Sequence, residues 1–183
     1  MIVKVCGITR REDAEAAVEA GASAIGFIFY KKSPRYVEPE RARVLGDGLN
    51  VWKVGVFVDE TAADIEAVMR AANLDVAQVY GGELPPARRI WDAVRPGQPR
   101  PSGRGSEALF LDSSANGETF DWSIARNAAA KVIIAGGLND QNVADAIRIA
   151  QPWGVDASSS LEISPGIKDH EKIRRFVAAA RNL

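Results

Sequence analysis

Cysteine and histidine each occur once in the 183 residues, and both scarcities exclude something. Cys6 alone forms no internal disulfide. With His170 as the sole histidine no Cys/His cluster can assemble a metal site, and the spacing of Asp and Glu suggests none either. An excess of one charge is also missing. The 23 Lys+Arg residues stand against 24 Asp+Glu, so nucleic acid is not an expected partner, although a local patch still suits a phosphate. No apolar run approaches the about 18 residues of a membrane span, and Met1-Ile2-Val3-Lys4 lacks the apolar stretch of a secretory signal. A cytoplasmic, membrane-free protein is the expectation. No linker-like stretch divides the chain and no repeat of about 20 to 50 residues runs through it, so residues 1–183 are expected to form one domain.

What is present is an alternation. Val3 to Cys6 is a short apolar strand, followed by a helical pattern over residues 12–21 with Ala14, Ala17 and Val18 on one face. Residues 24–29 and 51–58 are nearly continuous in apolar side chains, as strands covered on both faces should be. Helices are expected over 39–49 and 62–73, the second capped by Thr61, and a fourth strand over 76–80. Strand and helix joined by such crossovers imply parallel pairing, in a barrel or a doubly wound sheet. Residues 81–107 break the rhythm with five prolines and several glycines; by periodicity alone 89–94 reads as a strand or a helix end, and 98–106 reads as a loop. Order returns with a strand at 108–112, a helix around 122–129, a strand at 131–135, a helix over 141–150 capped by Asn139, a strand at 154–158 and an amphipathic helix over 171–181.

In α/β folds chemistry sits at the carboxyl ends of the strands. Cys6 ends the first strand, where a thiolate would act as nucleophile or base; the alternative is an inert, buried small side chain. Asp112 ends another strand and pairs with Cys6 as a candidate acid and base, or else is a solvated cap. Arg35, after Pro34 in a cation-rich loop, offers a planar fork to a carboxylate. Gly136-Gly137 and Ser158-Ser159-Ser160 follow the last two strands, where barrels commonly hold phosphate on backbone N–H groups. His170 opens the final helix and reads as exposed rather than catalytic.

Several of these stretches carry a resemblance. Val3-Lys4-Val5-Cys6-Gly7-Ile8-Thr9, Gly26-Phe27-Ile28-Phe29, Ser33-Pro34-Arg35-Tyr36-Val37, Val54-Gly55-Val56-Phe57-Val58, Leu109-Phe110-Leu111-Asp112-Ser113, Phe120-Asp121-Trp122, Ala135-Gly136-Gly137-Leu138 and Gly154-Val155-Asp156-Ala157-Ser158-Ser159, continuing to Pro165-Gly166-Ile167-Lys168-Asp169, occur in the order seen in phosphoribosylanthranilate isomerases. The chain resembles that tryptophan-pathway family over most of its length. The resemblance implies a (β/α)8 TIM barrel and an Amadori rearrangement of a small phosphorylated substrate without a cofactor. It implies Cys6 as general base and Asp112 as general acid, Arg35 on the anthranilate carboxylate, and Gly136, Gly137, Ser158 and Ser159 at the phosphate, with Asp156 orienting the site. A histidine-pathway sugar isomerase would use two aspartates, a pattern that Cys6 contradicts.

There are departures. Where the family carries Gln-Leu-His-Gly-Asp-Glu, this chain has Gln78-Val79-Tyr80-Gly81-Gly82-Glu83, so the role of a histidine is lost or passes to a phenol. The family's Trp-Lys-Ala of the fifth strand becomes Trp91-Asp92-Ala93; this favours a strand at 89–94 and predicts weaker substrate affinity or turnover. The helices after the fourth and fifth strands are expected to be trimmed, which abbreviates the barrel and would expose strand surface to a partner subunit, so a monomer or a homodimer is expected. A degenerate barrel that binds a phosphorylated ligand without catalysis is the alternative reading.

Overall fold

Each apolar strand of the sequence hydrogen-bonds to the next, and the ring closes. A computed structural model describes residues 1–86, 89–96, 105–113 and 119–182. The parallel strands β1 (Ile2–Cys6), β2 (Ala24–Ile28), β3 (Trp52–Val58), β4 (Val76–Tyr80), β5 (Arg89–Val94), β6 (Ala108–Asp112), β7 (Val132–Ala135) and β8 (Gly154–Ala157) form a closed barrel in sequence order. Closure runs from Ile2 opposite Gly154 to Val5 opposite Ala157. Around it lie α1 (Arg11–Glu19), α2 (Pro39–Gly46), α3 (Ala62–Ala71), α4 (Val143–Ala150) and α5 (His170–Arg181).

Period-two alternation sorts the strand residues between two cores. Val54, Val76, Trp91, Ala93, Phe110 and Ile133 fill the barrel. Val5, Phe27, Phe57, Val79, Ile90 and Leu109 face outward to the helices, where Ile173, Phe176 and Val177 of α5 are buried. Each fully buried side chain of this size contributes roughly 1.5–3 kcal/mol. The same alternation revises the expectation for Asp92. Lying between inward Trp91 and Ala93, it is buried on the outer face, away from the barrel mouth, and the weakened substrate affinity inferred from it has no structural basis.

Residues 89–94 are a strand, paired with both β4 and β6. Among the described residues no helix lies between β4 and β6; most of the loop expected at 98–106 falls outside them. The helix expected around 122–129 is only a 3-10 turn, Trp122–Ala125. The Asp121 carboxylate accepts from the Ser123 N–H at 3.0 Å, and Asn127 takes a left-handed φ of 69° that ends the turn. α4 starts later than expected, because Asn139 Oδ1 accepts from the N–H groups of Gln141 and Asn142 and so caps the preceding turn. Beyond β8 the chain adds a 3-10 turn, Ser159–Leu161, and an antiparallel hairpin of β9 (Glu162–Ser164) and β10 (Ile167–Lys168), which periodicity did not suggest.

Two clusters tie the barrel together. At the amino-terminal pole Trp52, Trp91 and Trp153 meet with ring centroids 6.1–6.3 Å apart, and Arg89 lies 4.0 Å over Trp52. On the outside, buried Asp13 of α1 accepts from Arg10 Nη2 at 2.8 Å and from the Lys168 N–H at 3.2 Å, and pairs with His170 Nε2 at 2.8 Å. This contact joins the first helix to the last. Desolvation pushes the Asp13 carboxyl up, but the Arg10 and His170 contacts and the backbone N–H outweigh it, so its pKa is lowered. A lowered folded-state pKa gives stability that is present above the unfolded value of about 3.9 and is lost as pH falls through the folded value. Asp13→Asn is expected to cost about 2–3 kcal/mol at pH 7, with the gap to wild type closing as pH falls from the unfolded value through the lower folded one, as followed by urea melts at several pH values.

Candidate active site

All eight residues singled out from the sequence, Cys6, Arg35, Asp112, Gly136, Gly137, Asp156, Ser158 and Ser159, line one cavity of about 290 Å³ at the carboxyl ends of the strands. The strands aim them there: Cys6 and Asp112 are the last residues of β1 and β6, and the glycine and serine pairs follow β7 and β8.

Beneath Cys6 on the same face of β1 is Lys4, fully buried inside the barrel. Its ammonium donates to Asp156 Oδ1 of β8 at 2.7 Å, so the pair bridges the strands that close the ring. Gly26 of β2 makes room for both side chains: a Cβ there would meet Cys6 Sγ at 2.7 Å and Lys4 Nζ at 3.1 Å. Burial is the largest influence on the Cys6 thiol and pushes its pKa up, against the Lys4 charge and hydrogen bond that pull it down. Burial also disfavours the charged lysine, but Asp156 and the thiol outweigh it and its pKa is raised. Lys4 is therefore a fixed cation under the thiol.

Across the cavity, Asp112 accepts from the Tyr80 hydroxyl at Oδ2, 2.7 Å away, and Gln78 Nε2 donates to the same hydroxyl at 3.0 Å. Desolvation lifts the Asp112 pKa most strongly, the Tyr80 hydrogen bond opposes this, and the Asp156 charge adds to the rise. A carboxyl lifted from its ordinary range is one that can keep a proton in reserve. Desolvation and the neighbouring Asp112 charge hold the half-buried Tyr80 phenol well above its usual value, so it stays neutral.

The rim is cationic. Arg35 grips Glu162 through Nε and Nη2, both at 2.7 Å, and Lys168 Nζ reaches Glu162 at 3.0 Å and the Ser158 carbonyl at 3.1 Å. Two cations around one carboxylate leave a surplus positive charge beside the cavity. Glu162 holds one edge of the guanidinium, so an incoming carboxylate would meet Nη1.

Gly136 is required where it stands, with a φ of 86° and a position where a Cβ would lie 1.9 Å from Ser113 Oγ. Asn142 Nδ2 donates to the Gly137 carbonyl at 2.9 Å, Ser158 Oγ donates to the Cys6 carbonyl at 3.1 Å, and the Ser160 hydroxyl donates to the Leu138 carbonyl. These bonds shape the loops after β7 and β8 into one concave edge. Among the described residues no group of three or more His, Cys, Asp or Glu is placed to hold a metal, and no helix is long and apolar enough to cross a membrane. His170 lies outside the cavity, on Asp13.

Lys4, Glu162, Lys168 and Gln78 were missed as residues of this cavity or its support, while Tyr80 was noted only as the phenol in a histidine's place. Lys4 was legible, because alternation in Val3-Lys4-Val5-Cys6 puts a lysine on the thiol's face. Glu162 and Lys168 had no comparable signal, since Glu162 meets Arg35 across 127 residues and Lys168 enters the site only through Glu162 and the Ser158 carbonyl.

Residues 3–179 match the family model described as N-(5'phosphoribosyl)anthranilate (PRA) isomerase. The N-(5'-phosphoribosyl)anthranilate isomerase of Solibacter usitatus is 45% identical over 195 residues, covering 99% of this chain and 98% of the relative. Among solved structures, the dimeric phosphoribosylanthranilate isomerase of Thermotoga maritima, crystallised as generated monomers, superposes with a TM-score of 0.89 at 38% identity over 100% of both chains. Another, a phosphoribosyl anthranilate isomerase in complex with reduced 1-(o-carboxyphenylamino)-1-deoxyribulose 5-phosphate, gives a TM-score of 0.87 at 38% identity, also over 100% of both chains. A full-length match of sequence and barrel, with the thiol and the carboxyl facing one cavity, makes this chain a member of the phosphoribosylanthranilate isomerase family.

Proposed function

We propose that this barrel, as one domain, converts N-(5'-phosphoribosyl)anthranilate to 1-(2-carboxyphenylamino)-1-deoxyribulose 5-phosphate, with Asp112 as general acid and Cys6 as general base. The observation that carries the assignment of roles is the placement of a buried thiol above a fixed cation on β1, facing across one cavity a β6 carboxyl whose pKa desolvation raises. Asp112 gives its proton to the furanose ring oxygen as the C1–O bond breaks, and the anthranilate nitrogen lone pair forms the C1=N bond of a Schiff base. Cys6 thiolate then takes the C2 proton. The C–H electrons become the C1=C2 bond, the C=N pair returns to nitrogen, and the resulting enolamine tautomerises to the ketone. The substrate nitrogen is the electron relay, so the chemistry calls for no cofactor.

Arg35 takes the anthranilate carboxylate, and the edge built by Gly136, Gly137, Ser158 and Ser159 takes the phosphate, with Asp156 orienting the site through Lys4. Arg35→Lys keeps the charge and loses the fork held by Glu162, so KM is expected to rise about tenfold with a smaller change in kcat, measured by steady-state kinetics. The reactive form has Cys6 ionised and Asp112 protonated. Burial lifts both groups and the thiol starts several units higher, so this form is a minor one whose fraction is level between the two inflections and falls outside them. A reducing cytoplasm suits a thiol base, and sedimentation at several concentrations separates a monomer from a homodimer. Steady loss of anthranilate fluorescence from N-(5'-phosphoribosyl)anthranilate on mixing with the protein supports the isomerase; saturable binding without consumption replaces it with a barrel that only binds.

A further inference from the structure

Tyr80 ends β4 inside the barrel, and its ring reaches past β5 to the carboxyl at the end of β6. It meets Phe110 edge-on with centroids 6.4 Å apart, so the ring is fixed by packing. The hydroxyl has one hydrogen to give. Because Gln78 Nε2 donates to its oxygen, that hydrogen is directed to Asp112 Oδ2 at 2.7 Å.

We propose that Tyr80 is a positioning residue for the acid step: by donating to Oδ2 it confines the transferable proton to Oδ1 and stabilises the carboxylate left when that proton departs. The inference rests on the reading of Asp112 as general acid. Before transfer the phenol bonds to the carbonyl oxygen of a neutral acid; afterwards the same bond is charge-assisted and stronger. An interaction that grows along the step lowers the barrier, whereas one of constant strength would not. Among the described residues the other charged or titratable groups facing Asp112 are Lys4 and Cys6 from β1, Arg95 after β5 and Asp156 from β8, so the phenol is a neutral donor among charged groups. The sequence left open whether a histidine role at this position is lost or passes to the phenol; the geometry favours the second.

Tyr80→Phe keeps the ring and its contact with Phe110 and removes only the hydroxyl. Two quantities test the inference: kcat, and the pH midpoint of the Asp112 carboxyl carbon resonance in 13C-Asp-labelled, ligand-free protein, assigned by its absence in Asp112→Asn. The expectation is a midpoint about one pH unit higher and a kcat about tenfold lower. A purely structural role would not move the carboxyl titration. An unmoved midpoint overturns the inference whatever happens to turnover, and so does a shifted midpoint with wild-type kcat. Near-wild-type activity in Asp112→Asn removes the acid itself and the inference with it; an inactive Asp112→Asn beside an unmoved midpoint in Tyr80→Phe leaves the acid standing and overturns Tyr80 alone.

Discussion

Asp112→Asn is expected to lower kcat by about 10²- to 10⁴-fold while leaving the fold intact, and Cys6→Ser by a similar factor. The asparagine has the volume of the aspartate, and its carbonyl still accepts from Tyr80, so the local hydrogen bond survives. What disappears is a proton that can be released to the ring oxygen, because an amide is not an acid in water. Cys6→Ser likewise keeps the shape of the pocket but offers a hydroxyl whose ionised form is out of reach even above Lys4. Steady-state turnover with circular dichroism as the control checks both. Activity within tenfold of wild type would remove that residue from its role.

The second large effect is expected at Lys4. Lys4→Met leaves Asp156 buried without its cation, and breaking a buried pair in this way costs about 3–5 kcal/mol, measurable as a lower midpoint of urea unfolding. The same change takes the positive charge from under Cys6, so the thiol becomes harder to ionise. Because Cys6 is the one cysteine of the chain, its thiolate absorbance can be titrated as the difference from Cys6→Ser, which cancels the three tyrosines. The double variant Lys4→Met with Asp156→Leu separates the two effects. Replacing both charges by apolar groups should return most of the stability and none of the thiol acidity. A single variant with wild-type unfolding and wild-type titration would mean that the pair does neither job.

The strands were legible because a parallel barrel covers both of their faces, which writes continuous apolar runs such as Val54 to Val58 into the chain. Even Arg89–Val94 stands where the pattern and the resemblance placed it. The helix near 122–129 was not legible: an alanine-rich stretch satisfies helix propensity, but the Asp121 side chain and the left-handed Asn127 bend the backbone away. The catalytic candidates could be found because strand ends point to one mouth, while their supporting residues depend on contacts between distant segments. Alternation explains the rest. Read in register, Lys4 moves under the thiol and Asp92 moves out of the site, both from period two alone.

The bridge between β1 and β8 also orders events in time. Lys4 and Asp156 are 152 residues apart, as are Cys6 and Ser158, whose hydroxyl seats on the Cys6 carbonyl. As the chain emerges from a ribosome, the strand that carries the thiol is made first and waits for its counter-charge until nearly all of the polypeptide exists. Long-range closures of this kind form late, since loop entropy must be overcome before their contacts are gained. Regain of activity on refolding should therefore coincide with the slowest structural phase, and a nascent chain that stops short of β8 carries a thiol with no cation fixed by its partner strand.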